Sequence, residues 1–316
     1  MRKLLSVFIF TLGLWLICAL VIFVFNDIQL LDQEEQAYIK MGKTFWQWQS
    51  EYGPLAVHYV ERGEGENHLV LLHGFRAHTY TWNQIGVPLA EKGYHVWAVD
   101  LVGFGLSDKP QYAQYSVDFF LRQILAFLDA QGIEKAHLVG SSMGGGLALN
   151  IALEHPEQVK SLTLLAALGY PLDLPYYITL GRYIDQLWAP LLGPTMVRYA
   201  LQQVTYKQER VTDEQVAAYS LPYRLPGGLK TSLLTLQNFD KQRLIEMERR
   251  YSSLNHPVLV IWGKHDSLLP LCHYENFIRD FPHAKTILLE ECGHIPQEEE
   301  PQEVVKAMEQ FLQQMN

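Results

Sequence analysis

The chain has 316 residues, 48% of them hydrophobic, and carries 34 Asp and Glu against 25 Lys and Arg, a net charge of −9. That is enough for one large α/β domain with an insertion, or for two small domains. No basic block is present, which argues against nucleic acid as a partner, because such binding runs on clustered positive charge.

Met1-Arg2-Lys3 precedes Leu4–Phe25, twenty-two residues without a charge. As a helix this run spans about 30 Å, the thickness of a bilayer core, and predicts a transmembrane anchor over residues 1–26. It ends Val-Ile-Phe-Val-Phe and not in small residues, so an uncleaved anchor is expected in place of a signal peptide. Cys18 follows Trp15-Leu16-Ile17, which lacks the small residue of a lipid-attachment site, and reads as an ordinary apolar residue. Arg2 and Lys3 lie on one side of the run, and Asp27, Asp32, Glu34 and Glu35 on the other. That asymmetry puts the N-terminus in the cytoplasm and the remainder on the periplasmic, lumenal or extracellular side.

Residues 27–43 are polar and read as a linker. Thr44–Gln49 and Leu55–Glu61 alternate apolar and polar residues about Gly53-Pro54, which predicts an antiparallel pair. Leu69–Leu72 is a buried strand leading into His73-Gly74-Phe75-Arg76, and His95–Val99 is the next. In the glycine-punctuated loop Asp100–Asp108, Gly103-Phe104-Gly105 is not followed by the Lys-Ser or Lys-Thr of a phosphate loop, so a nucleotide reading fails. Ser116–Gln131 is an amphipathic helix whose Phe119, Phe120, Ile124, Phe127 and Leu128 are explained by core packing.

Ala136–Ala152, AHLVGSSMGGGLALNIA, reads as strand, sharp turn and helix. Side chains at Gly140 or Gly144 would collide with backbone in so tight a turn, while Ser142 is pushed out above the sheet with strained dihedrals, over the positive end of the helix. The bland alternative is a Ser-Gly turn without chemistry. A serine hydroxyl is a poor nucleophile and needs a base with an orienting acid, in the chain order Ser, acid, His. Strand Val159–Leu168 ends in Ala166-Ala167-Leu168-Gly169 without a carboxylate, Asp173 being the nearest rival acid. Strand Pro257–Gly263 is followed by Lys264-His265-Asp266, and strand Ala284–Glu290 by Cys292-Gly293-His294. Asp266 is therefore the candidate acid and His294 the candidate base.

Residues 170–250 break the strand and helix alternation of 44–169 and 251–316. Helix-like runs at Ile178–Leu187, Thr195–Val204, Asp213–Tyr219 and Leu229–Phe239, separated by Pro190, Pro194, Pro222 and Pro226, predict an inserted helical cap. The aromatic stretch Tyr170–Ile178 serves either as packing of cap on core or as an acyl-chain pocket or lip facing the bilayer. Leu271–Phe281 and Pro301–Met315 read as the last two helices, and Glu298, Glu299 and Glu300 as a solvated helix start. Cys272 and Cys292 either pair in an oxidising compartment or stay single; cysteine spacing offers no metal site.

Through His73-Gly74-Phe75, Asp100–Asp108, Gly140–Gly145, Trp262–Asp266 and Cys292-Gly293-His294, in that order, the chain after about residue 44 resembles the α/β-hydrolase family. Within it, the lipase and esterase branch with membrane-anchored monoacylglycerol lipases is most similar. The resemblance implies a mostly parallel central sheet with helices on both faces and a helical cap. It also implies an oxyanion hole from the backbone N–H groups of Phe75 and Met143, and a structural role for His73. The reaction it implies is two-step acyl transfer on carboxylic esters, lipid esters such as monoacylglycerols above all, with Ser142, His294 and Asp266 as triad and with no cofactor or metal. Carbon–carbon bond hydrolases of ring-cleavage products use the same triad beneath a similar cap; they are generally soluble, so the anchor argues against them. Dehalogenases and epoxide hydrolases of this fold use an Asp nucleophile, which Ser142 argues against. A binding protein on the same scaffold is the reading from another class, and the presence of all three triad residues argues against it. Oligomeric state is left open.

Overall fold

The computed structural model describes residues 44–173 and 193–315. The apolar run Leu4–Phe25, the linker, Leu174–Tyr177 and the helix-like run Ile178–Leu187 lie outside the described residues. Among the described residues no helix is long and apolar enough to cross a membrane.

Strands β1 (Thr44–Ser50), β2 (Gly53–Arg62), β3 (His68–Leu72), β4 (His95–Val99), β5 (Ala136–Ser141), β6 (Val159–Leu165), β7 (Val258–Gly263) and β8 (Lys285–Leu289) form one sheet. Its order is β1-β2-β4-β3-β5-β6-β7-β8. Only β2 runs against its neighbours; from β4 to β8 every pairing is parallel. Helices α1 (Asn83–Glu91), α2 (Val117–Ala130) and α3 (Met143–Glu154) connect the first strands. Between β6 and β7 come α4 (Pro194–Val204), α5 (Asp213–Arg224), α6 (Gly228–Gln237) and α7 (Lys241–Arg250), and α8 (Leu271–Asp280), α9 (Pro296–Glu299) and α10 (Pro301–Leu312) close the chain.

The central strands carry apolar residues toward both faces because both faces of the sheet are covered. Val70, Leu72, Val260 and Trp262 face a core built with Phe119, Leu147 and Phe277 of α2, α3 and α8. The alternate residues Leu69, Leu71, Leu259 and Ile261 face Ile85, Leu89, Met308 and Phe311 of α1 and α10. Helix α2 begins at Ser116, whose hydroxyl accepts the Phe119 N–H, and it buries all five apolar residues singled out from its spacing. After β3 the chain steps outward to β4 and then returns to β5 on the other side of β3. Such a reversal opens a crevice beyond the C-terminal strand ends, where α/β proteins bind their ligands.

Three expectations need correction. The first hairpin turns on Glu51-Tyr52, not Gly53-Pro54: Ser50 pairs with Gly53, and its hydroxyl donates to the Gly53 carbonyl while accepting the Tyr52 N–H. β6 stops at Leu165 because Ala166 turns to φ 43°. Helix α5 continues past Pro222 to Arg224, although that proline reads as a breaker. Helices α1 and α7 carry no clear sequence signal. α1 contains Gly86 and Pro88, both weak helix formers, and forms because Ile85 and Leu89 bury against the sheet. α7 buries only Leu244 and Met247, and is held by Arg243, which bonds to Asp118, Asn150 and Glu154.

The turn between β5 and α3 is where sterics are tightest. A Cβ at Gly140 would lie 2.4 Å from the Gly144 carbonyl oxygen, and one at Gly144 only 2.0 Å from that of Leu72. These contacts are backbone and cannot swing away. Gly144→Ala is therefore expected to cost about 3 kcal/mol or more, read as a lowered thermal midpoint or loss of soluble protein. A melting curve unchanged from wild type would show the elbow to be slack.

Candidate active site

Ser142 sits in the turn from β5 to α3 at φ 50° and ψ −117°, a conformation that costs a non-glycine residue about 1–3 kcal/mol. Its N–H donates to the Leu165 carbonyl, and its own carbonyl accepts from Gly145, Gly146 and Leu168 at 3.0, 3.2 and 2.9 Å. The surroundings thus hold the strained residue from both sides. Met143 is the first residue of α3, at the helix end whose N–H groups lack intrahelical partners and carry partial positive charge.

The loop after β3 closes on the same spot. A Cβ at Gly74 would touch Ser142 Cβ at 3.1 Å, so Phe75, next in the chain, stands beside the elbow. His73 holds this loop: its Nδ1–H donates to the Gly74 carbonyl at 2.8 Å, and its Nε2 accepts the Leu101 N–H at 3.0 Å. Burial lowers its pKa against the opposing pull of Asp100 and that carbonyl. With both ring nitrogens occupied in the interior, His73 is a strut and not a base. Asp100, fully buried, accepts from His58 Nδ1 and from the Thr79 and Leu106 N–H groups. Burial alone would push its carboxyl up, but His58, His78 and His73 hold it well below the usual carboxylate range.

Asp266 and His294, brought from the ends of β7 and β8, meet. His294 Nδ1–H donates to Asp266 Oδ2 at 2.8 Å, with the two side chains 6% and 1% exposed. The carboxylate is acceptor-only, which assigns the proton to Nδ1 and leaves the Nε2 lone pair as the acceptor. Asp266 Oδ1 accepts the N–H groups of Leu268 and Leu269, so its carboxylate plane is set before the histidine is considered. Asp173 pairs instead with Lys241 at the surface. No hydrogen bond joins Ser142 Oγ to His294 among the described residues; such contacts are commonly long before substrate binds and tighten in the reacting complex.

The insertion grips the acid and base loops. The His294 N–H donates to the Val204 carbonyl at 2.8 Å, and Ser267 Oγ donates to the Gln203 carbonyl at 2.5 Å. Tyr206 stacks on His265 with ring centroids 4.0 Å apart and planes 9° from parallel. Contrary to the sequence expectation, two of the three glutamates that follow the histidine are not solvated. Glu298 and Glu299 are 8% and 9% exposed. Glu298 accepts from Thr81, Tyr219 and Gln215, while Glu299 accepts backbone N–H groups of Tyr206, Gly293 and Ile295. Only their burial distinguishes them, and charge in a four-residue helix carries no signal of it.

Tyr170 is 1% exposed and packs edge-on against Phe277, which makes it core packing; the rest of the aromatic stretch beyond Asp173 lies outside the described residues. Beside Met143 a small apolar pocket opens to solvent, lined among others by Phe120, Leu147, Leu168, Phe239 and Met247. Cys272 and Cys292 are both free, and burial raises the Cys292 thiol far from its reactive range. Among the described residues no group of three His, Cys, Asp or Glu side chains could hold a metal ion.

Residues 67–301 match the alpha/beta hydrolase fold family. The chain is 31% identical over 265 residues to the 2-hydroxy-6-oxo-6-phenylhexa-2,4-dienoate hydrolase of Comamonas testosteroni, covering 82% of this chain and 91% of that protein. It is 28% identical over 288 residues to monoacylglycerol lipase abhd6-B of Xenopus laevis, covering 85% of each. Among solved structures, a membrane phospholipase A described as a bacterial virulence factor is 30% identical with a TM-score of 0.73, covering 97% of this chain and 98% of that one. A match over residues 67–301, on a sheet of this order with a strained serine between β5 and α3, makes this chain a member of the alpha/beta hydrolase family.

Proposed function

We propose that the protein is a serine hydrolase of carboxylic esters, acting on lipid esters such as monoacylglycerols. His294 Nε2 takes the Ser142 proton as Oγ attacks the ester carbonyl, while Asp266 fixes the imidazole tautomer and balances its charge. The tetrahedral oxyanion forms between the N–H groups of Phe75 and Met143, each donor contributing about 2.7–4 kcal/mol. Collapse returns the proton to the leaving alcohol and leaves an acyl ester on Ser142; water, deprotonated by His294, then releases the acid.

The observation that carries this reading is the 2.8 Å Asp266–His294 bond at the end of the sheet where Ser142 stands at φ 50°. Support for a lipid substrate comes from the apolar pocket beside Met143 and from similarity to a monoacylglycerol lipase and a membrane phospholipase A. The uncharged run Leu4–Phe25 supports a single-pass anchor with the catalytic domain outside the cytoplasm. A second reading, hydrolysis of a carbon–carbon bond in a dienoate, rests on the similarity to the Comamonas enzyme.

One panel separates them: p-nitrophenyl esters of graded chain length, monoacylglycerols and a ring-cleavage dienoate, with a fluorophosphonate probe alongside. The lipid reading expects labelling of the intact protein and a kcat/KM for monoacylglycerol at least about tenfold above that for the dienoate. The opposite order transfers the function to carbon–carbon cleavage, and absence of labelling removes the enzyme reading altogether.

A further inference from the structure

The geometry points to Glu299 as the positioning residue of the candidate catalytic histidine, a carboxylate that binds the main chain on both sides of His294 and ties it to the insertion. This rests on the proposed Ser142–His294–Asp266 chemistry. Three observations meet here. Glu299 Oε1 accepts the Gly293 N–H at 3.0 Å and the Ile295 N–H at 3.2 Å, the residues immediately before and after His294. Oε2 shares the Gly293 N–H and accepts the Tyr206 N–H at 2.7 Å. Glycine is required at 293, because a Cβ there would lie 2.5 Å from the Val204 carbonyl oxygen, 2.9 Å from Tyr206 N and 3.0 Å from Glu299 Oε1.

Only an acceptor on both oxygens fits this cradle. An ionised carboxylate offers about four lone-pair sites and no donor, and three N–H groups converge on it. An amide would turn its NH₂ toward one of them. Burial pushes the Glu299 carboxyl up from the usual carboxylate range, and the N–H groups of Tyr206, Gly293 and Ile295 pull against that rise. Because Asp266 fixes only the Nδ1 side of the ring, the tilt of His294 toward Ser142 depends on where residues 293–295 are held. Glu299 holds them, and through Tyr206 so does the seating of the insertion. Glu298, its neighbour, bonds to Thr81, Tyr219 and Gln215 and not to this loop, so the two buried glutamates have different work.

The test compares the full-length wild type with Glu299→Gln and Glu299→Asp. The readouts are kcat and KM on a p-nitrophenyl ester, the fluorophosphonate labelling rate, the thermal midpoint and the downfield proton NMR signal of His294 Nδ1–H. In Glu299→Gln, kcat and labelling rate are expected to fall by about 10- to 100-fold, with KM within about twofold and the NMR signal broadened or lost. Glu299→Asp keeps the charge but withdraws it by one methylene, and is expected to recover part of the rate. Labelling and kcat equal to wild type in both variants overturn the proposal. So does a loss that tracks only the unfolded fraction while the NMR signal of the folded protein is intact. Failure of the wild type itself to label sinks the serine-hydrolase reading, which needs no variant to detect.

Discussion

Ser142→Ala is expected to lower ester turnover by about 10⁶-fold and to abolish fluorophosphonate labelling, with little change in stability. On the proposed mechanism, removing Oγ removes the atom that forms the acyl-enzyme and leaves His294 and Asp266 with nothing to activate. What remains on that mechanism is the pair of N–H donors at Phe75 and Met143, a residue of catalysis worth about 10³–10⁴ over the uncatalysed reaction. The fold should survive, because alanine has the same Cβ and meets the same strain at φ 50°; the Leu165, Gly145, Gly146 and Leu168 bonds at this position are all main chain. Intact-mass analysis after the probe, with kcat on purified protein free of host esterases, checks both halves. Activity within tenfold of wild type would move the nucleophile elsewhere.

Asp266→Asn is the second large effect, about 10⁴-fold in kcat. The asparagine carbonyl can still accept the Leu268 and Leu269 N–H groups that Oδ1 accepts now. That choice directs the NH₂ at His294 Nδ1, which must then accept, moving the ring proton to Nε2. A protonated Nε2 cannot take the Ser142 proton. The loss therefore comes from the wrong tautomer in an intact site, and melting temperature and substrate affinity should change little. Asp173→Asn is the matched control: its carboxylate pairs with Lys241 at the surface, and full activity is expected. If Asp266→Asn retained turnover and Asp173→Asn lost it, the acid would have to be reassigned.

Much of this arrangement was legible along the chain because it is local. Gly140, Ser142 and Gly144 announce a strand, turn and helix within five residues, and the steric reason is the 2.4 and 2.0 Å contacts a Cβ would make. The buried strands are contiguous apolar runs for the same kind of reason: a strand covered on both faces cannot alternate. Helices failed to declare themselves where packing overrides propensity, as in α1 with its Gly86 and Pro88, or where ion pairs replace an apolar face, as in α7 around Arg243. The hairpin turn was misplaced because a glycine–proline pair looks like a turn, whereas Ser50 supplies the bonds that put it at Glu51-Tyr52.

The amino-acid order alone determined the strand sequence, the tight turn around Ser142, and a candidate acid and a candidate base following successive strands, since each is a property of neighbouring residues. Only the folded chain decided that Asp266 and not Asp173 meets His294, that His73 spends both nitrogens on the main chain, and that Glu299 faces inward to Tyr206, 93 residues away. Acidic side chains are alike in sequence; what separates them is which lose their water, and that depends on surfaces that exist only after distant segments have packed.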